Sequence, residues 1–457
     1  MNKQQRLKPV IRDWDYNLHL SFPQKIELAN GLTLMVVNGG DSEICRLSIA
    51  FPGGLFEEEM PLQASMTSSM VIHGSEKLSS SAVAERLDYN GSWIASRCYD
   101  HHTCLTLQSL NRRLEETLPL LMEIATSPAF PDREIELMQN RIIASYHTAR
   151  QRVKYLATTA MSIIYYPQGY PLAQDITDEQ VKAVKAADMR RFHQRYWHAN
   201  EATAILSGCI GEHELRLVKE ALESLPTSSI LPHQSQQTAP RNSAPAQYAS
   251  SSGRRFPDNI GGNPATFDKH SVVVDLPNAV QAAIAMSLPA PSRQSDDYIP
   301  VRVLTTALGG YFGSRLMTNI REKMGYTYSI SAALLGRIDD ASIVIDTQCD
   351  CRYTREVSQQ IILEMQRLCQ QPLDENELHR VKQQMIADLV KTLDSPFSIS
   401  NYIGSTIFVG VHPDYWNKQI SEIRTITAEH IMEMARKWFN TSKLLTAVAG
   451  DRKVMGI

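Results

Sequence analysis

The chain has 457 residues, 43% hydrophobic and 21% charged, a globular composition that excludes a wholly disordered polypeptide. At about 150 residues per domain the length predicts roughly three units, long enough to bury sizeable cores. Lys and Arg number 46 against 49 Asp and Glu, so a net charge of −3 gives no global basic field that would recommend nucleic acid or an anionic membrane surface.

The start, MNKQQRLKPVIRDWDYNL, is basic but has no following apolar stretch, so no signal peptide is read there. No run reaches the roughly 18 apolar residues that span a bilayer. A cytoplasmic location is the default expectation, with the periplasm left open. Strand signals then fall at 32–38 and 44–51, followed by a helix at 64–73 and a short helix at 82–89. A strand pair is expected within 92–107, a long helix at 114–125 and a second from 132 to about 158. Within the strand pair, RCYDHHTC is read as one strand-like stretch that puts Cys98, Asp100, His102 and Cys104 on a common face. Same-face neighbours lie about 6–7 Å apart, close enough for two to chelate an ion but not for all four; an ordinary strand is the favoured reading.

From Pro226 to Pro264 the chain is rich in Ser, Pro, Gln, Ala and Gly, the composition of a mobile linker. It separates residues 1–225 from 265–457. In the second part, strands are expected at 271–275 and 282–287, a helix at 298–308, strands within 327–346, and long helices after them. The sequence Cys349-Asp350-Cys351 is read as a strand end rather than a redox pair. Seven cysteines in all (Cys45, Cys98, Cys104, Cys209, Cys349, Cys351 and Cys369) are too sparse for a disulfide scaffold.

The two parts repeat each other. Val181, Val184, Ala186, Met189, Phe192, Tyr196 and Gly208 correspond, at an offset of 242, to Ile423, Ile426, Ala428, Ile431, Met434, Trp438 and Gly450. Glu136-Leu137 meets Glu377-Leu378 at 241, and Gly91 meets Gly325 at 234. The expected fold is α+β: two homologous halves, each a mostly antiparallel sheet covered by helices.

The stretch ALGGYFGSRLMTNIREKMGYTYSIS, Ala307 to Ser331, resembles the pitrilysin/insulinase-type (inverzincin) metallopeptidases, a family that includes the mitochondrial processing peptidases and the respiratory core proteins. The matching features are the Gly-Gly pair, the Ser-Arg-Leu helix, Arg-Glu-Lys, and Gly followed by Tyr-Ser. The resemblance implies a chain forming half of a clam-shell. Active members carry H-x-x-E-H on a first-half helix, two His as zinc ligands and the Glu as general base, with a distal Glu as third ligand. Here the helix reads SMTSSM, with Ser65, Ser68 and Ser69 at those positions, and the distal Glu falls at Tyr146. Hydroxyls are poor zinc ligands, so no metal and no cofactor are expected in this chain. The family's Asn-Ala step on the first-half edge strand is replaced by Ile94-Ala95.

Two residues match the family's second-half pair. The resemblance matches Arg321 and Tyr328 to the Arg and Tyr that, in this family, reach across to the first-half zinc site, hydrogen-bond the substrate carbonyl and help stabilise the oxyanion. The bland alternative makes Arg321 a salt-bridging helix end and Tyr328 a packed strand aromatic. The resemblance therefore implies the non-zinc subunit of a heterodimeric peptidase. Zinc is expected in a homologous partner bearing H-x-x-E-H, and the substrate would be an unfolded peptide, with neither nucleic acid nor a membrane span involved. The alternative is a structural or peptide-binding protein of the same fold with no proteolytic role.

Overall fold

The computed structural model describes residues 18–20, 22–228, 259–268, 270–338, 340–411 and 414–457. The first half contains β1 (Gln24–Glu27), β2 (Thr33–Asn38), β3 (Ile44–Pro52), α1 (Gln63–Met70), α2 (Ser80–Tyr89), β4 (Trp93–Cys98) and β5 (His102–Leu110). It continues with α3 (Leu114–Thr126), α4 (Asp132–Ala149), α5 (Val153–Tyr165), α6 (Asp178–Ala183), α7 (Ala186–Tyr196), β6 (Thr203–Gly208) and α8 (Glu212–Glu223). The second half has β7 (Asn259–Ile260), β8 (Asn263–Phe267), β9 (Ser271–Asp275), β10 (Gln281–Pro289), α9 (Tyr298–Thr305), β11 (Thr327–Gly336) and β12 (Ala341–Asp350). After these come α10 (Thr354–Gln370), α11 (Glu375–Val390), α12 (Pro396–Ile407), α13 (Tyr415–Thr425), α14 (Ala428–Trp438), β13 (Leu445–Gly450) and α15 (Arg452–Met455).

The repeat is visible in the topology. One sheet runs β1-β2-β6-β3-β5-β4 and the other β7-β8-β9-β13-β10-β12-β11. In each, the last strand of the half pairs parallel with an early one (β2 with β6, β9 with β13), and the other pairs run antiparallel. The segments α7 and α14, like β6 and β13, start and end 242 residues apart. Strand side chains alternate between faces, so each sheet presents one apolar face to its own helices. In the first half Leu47, Ile49, Phe51, Leu105 and Leu107 pack against Met66, Leu121 and Phe192. In the second, Ile284, Met286 and Ile345 pack against Leu304, Ile361 and Met365.

The opposite faces are covered by an exchange. Helix α5, from the first half, lies on the second sheet, where Leu156, Ala157, Ala160, Met161 and Ile164 meet Ala283, Ala285, Ala447 and Ala449. The small alanines form a flat bed that lets the helix approach closely. Reciprocally, α12 lays Ile403 on Met35, Val37 and Ile205 of the first sheet. There Arg46 Nη2 donates to Phe397 O at 2.6 Å, Ser400 Oγ at 2.6 Å and Asn401 Oδ1 at 2.9 Å. An ion pair, Arg337 Nη1 to Asp100 Oδ2 at 2.5 Å, also joins the halves.

Several expectations need correction. The helix predicted from 132 to 158 is two helices broken at residues 150–152, because the apolar stripe of α5 belongs to the other sheet while Arg150 turns to Asp175 at 3.2 Å and the Ile176 carbonyl. The stretch RCYDHHTC is a hairpin: β4 ends at Cys98, β5 begins at His102, and Asp100 sits in the connection, so its four side chains do not share one strand face. Of the linker expected at 226–264, residues 229–258 lie outside the described residues. Its end is ordered, since Gly261 and Gly262 (φ 60° and 83°) make the two-residue turn between β7 and β8. The boundaries 1–225 and 265–457 thus separate the repeats in sequence, but α5 and α12 cross between the two packing units.

Candidate functional site

Ser65, Ser68 and Ser69 all fall on α1, as the sequence places them. That helix is pinned by Gln63, whose Nε2 donates to Asp188 O of α7 at 2.9 Å and whose Oε1 accepts from Glu59 N at 2.8 Å. Ser65 Oγ donates to Leu62 O at 3.2 Å, buried Ser68 pairs with Ser96 of β4 at 2.9 Å, and Ser69 is exposed. The Ser68 hydroxyl is thus engaged with the neighbouring strand, and neutral hydroxyls lack the charge and basicity that hold zinc. These residues do not fit the metal. Tyr146, on α4, lies near Tyr155 and under Arg150 rather than offering a carboxylate, and burial raises its phenol above the usual range. Among the described residues no group of three His, Cys, Asp or Glu side chains is placed to hold a metal ion.

The second-half pair is brought together. After α9 the chain widens into a π-helical turn over 306–310, and Gly309 there runs against β11 so tightly that a Cβ would stand 2.5 Å from Ala332 N. A second π turn, 317–323, carries Arg321; such turns frequently mark functional positions. It is held by Asn319, whose Nδ2 donates to Gln360 Oε1 at 3.1 Å and buried Glu364 Oε1 at 2.8 Å. The Arg of the Ser-Arg-Leu run is a brace: Arg315 forks onto Glu377 at 2.8 and 3.0 Å. Gly325, at φ 68°, turns the chain into β11.

Arg321 Nε donates to the Tyr328 carbonyl at 3.0 Å, and its guanidinium lies 4.5 Å over the Phe312 ring. Both Nη groups have no hydrogen-bond partner among the described residues. Tyr328 is 90% exposed and Phe312 61% exposed. The backbone is irregular here: β11 slips register against β12 between Thr327 and Ile330, and Thr327 Oγ1 donates to Gln348 O at 2.6 Å to hold the bulge. Tyr328 is therefore not a packed aromatic, and Arg321 forms no ion pair among the described residues. Sequence reasoning missed Phe312; its signal was the aromatic pair inside the glycine run GGYFGS.

A cavity of about 180 Å³ opens beside Tyr328, between α5 and strands β10 to β12. Asp346, Lys154 and Gln348 line it together with Ser329 and Ser331. Burial pushes the Asp346 carboxyl up, against the pull of Lys154. Elsewhere, Glu58 accepts from Ala64 N at the start of α1, and burial raises its carboxyl to about 7. Asp350 ends β12 and Cys351 opens the next turn, its Sγ donating to Ala279 O at 3.2 Å; the described cysteines are all free thiols. No helix of the described residues is long and apolar enough to cross a membrane.

Comparison with known proteins gives three consistent results. Residues 183–385 match the family model described as the peptidase M16 inactive domain. An uncharacterized zinc protease of Streptomyces coelicolor is 19% identical over 371 residues, covering 80% of this chain and 76% of that protein. Among solved structures, a peptidase M16 inactive domain from Pseudomonas fluorescens superposes with a TM-score of 0.76 at 19% identity, covering 94% of this chain and 98% of that one. The periplasmic protease PqqL from Escherichia coli superposes at 0.72 and 19% identity, covering 98% of this chain but 49% of its own length.

Proposed function

We infer, for a chain that belongs to the pitrilysin/insulinase-type (peptidase M16) family and matches its inactive domain, that it is the non-zinc subunit of a heterodimeric peptidase. A homologous partner bearing H-x-x-E-H would supply the zinc, the general base and the hydrolytic water. This chain would supply Arg321 and Tyr328 as donors to the substrate carbonyl. The guanidinium keeps its charge and the phenol donates a hydrogen bond, so both favour the negative charge that builds on that oxygen.

The observation carrying this reading is the exposure of Tyr328 next in the fold to a half-buried Arg321 that has no ion-pair partner among the described residues. A 90% exposed Tyr328 side chain, on a residue whose backbone carbonyl is held by a guanidinium with free Nη groups, does little for this chain's own packing. A scaffold role without proteolysis would leave it unexplained. The match to PqqL fits the same picture, since this chain spans 49% of that periplasmic protease's length. Affinity purification of the chain at native expression level is the test. A stoichiometric partner with H-x-x-E-H, accompanied by all of the zinc, is expected; zinc bound stoichiometrically to the chain by itself, or no such partner, would overturn the assignment.

A further inference from the structure

The cavity beside Tyr328 has the features of a side-chain pocket for a strand laid on β11. Among the described residues that strand is the last in its sheet, with no ladder neighbour on its outer side, so beyond the Tyr328 carbonyl held by Arg321 its edge is available to an extended peptide. Ser331 of β11 stands directly opposite Asp346 of β12, and both face the cavity. Strands are spaced by about 4.8 Å, so a residue added opposite Ser331 would have its Cα about 9.6 Å from that of Asp346. Ser331 is short and leaves the path across β11 open. Only a long side chain crosses it: a lysine or arginine stem reaches about 6 Å, and the carboxylate and a hydrogen bond close the remainder.

Charge selects among long side chains. Asp346 lines the cavity half-buried, and its carboxylate makes no hydrogen bond among the described residues. Its one charged neighbour in the cavity is Lys154, on the exposed surface of α5 and free to swing away. We propose that Asp346 receives a lysine or arginine side chain from an extended peptide paired with the outer edge of β11, so that this chain selects basic peptides. The proposal rests on the reading that this chain handles peptide substrate as an added strand. The raised carboxyl of Asp346 agrees with it, since an incoming cation would relieve a desolvated charge.

The test uses the whole chain without its partner and a fluorescein-labelled ten-residue peptide of alternating Thr and Lys. The reference probe replaces every Lys with norleucine, keeping the stem and removing the charge. At physiological salt, where diffuse attraction is screened, anisotropy should show the Lys probe binding about tenfold tighter or more. Asp346→Asn should abolish that preference, and Ser331→Tyr should block it. Lys154→Ala should widen it by removing the competing cation, a gain that damage to the fold would not produce. Should Asp346→Asn fail to fold, the surface change Lys154→Ala carries the same test. Equal binding of the two probes, a preference that survives Asp346→Asn, or weaker Lys-probe binding in Lys154→Ala would each overturn the proposal. Turnover with the zinc-bearing partner reads the role of Arg321 and Tyr328 separately, so either claim can fail while the other stands.

Discussion

The exchange of α5 and α12 makes a sharp prediction about a chain cut within residues 229–258. In the first-half fragment, α5 buries Leu156, Met161, Ile164 and Tyr165 against the second sheet. At about 1.5–3 kcal/mol per side chain, that contact contributes roughly 6–12 kcal/mol. Helix α12 adds Ile403 in the other direction, together with the three acceptors held by Arg46 and the Arg337–Asp100 pair. Association of two free bodies costs at least about 4 kcal/mol. With Ile403 counted at the same rate and about 1.5 kcal/mol for each hydrogen bond from the charged Arg46 guanidinium, the surplus is roughly 8 kcal/mol or more. That corresponds to micromolar binding or tighter, and each separated fragment would expose an apolar helix face and a bare sheet face. A protease site placed in 229–258, cleaved to completion, should therefore leave one species of unchanged mass by light scattering at about 10 µM, with little change in Tm. Leu156→Ala should cost about 2–5 kcal/mol and make the cut form the first to separate. Two independently folded halves eluting apart would refute the reasoning. If they stay together, closure over a substrate takes place between chains, not by hinging within this one.

Three further outcomes follow from local geometry. Glu58 titrates near 7 in the fold against an ordinary 4.5, so its stability contribution is full below about pH 4.5 and is lost as the pH rises through about 7. Glu58→Gln should flatten that slope and, above pH 7, gain up to about 3 kcal/mol over the native chain in urea unfolding. Gly309→Ala forces a Cβ to 2.5 Å from Ala332 N, where neither backbone can swing aside, and should lower stability by about 1–3 kcal/mol or more, read as a drop in Tm. Arg315→Ala strips the fork from a largely buried Glu377 and should cost about 3 kcal/mol, with Arg315→Lys intermediate because an ammonium cannot make both bonds.

Much of this was legible in the sequence, for identifiable reasons. The duplication survives because equivalent positions keep apolar character even where identities drift, as Phe192 and Met434 do. Serine at positions 65, 68 and 69 is a chemical departure from the family motif, not a matter of degree, and the fold sets all three on one helix, α1. The family resemblance carried Arg321 and Tyr328, and the fold brings them together through the Tyr328 carbonyl. The exchanged helices were not legible: periodicity reports that α5 has an apolar face, but not which sheet covers it. No Pro or Gly marks the break at residues 150–152, so one helix was expected where there are two. The hairpin at Tyr99–His101 likewise lacks a glycine. At Gly261-Gly262 the signal was present, but the surrounding composition outweighed it. Asp346 and Lys154 belong to different repeats, and only the crossing of α5 brings them to one cavity.

The central claim is that this chain lends donors to chemistry performed on another. It is tested most directly by turnover of an unstructured peptide by the reconstituted pair, comparing the native chain with Arg321→Ala and Tyr328→Phe at matched partner occupancy. A fall of about 10²–10³ in kcat with complex formation intact is expected, as for the loss of an oxyanion donor. Unchanged kcat with both residues substituted would contradict the account.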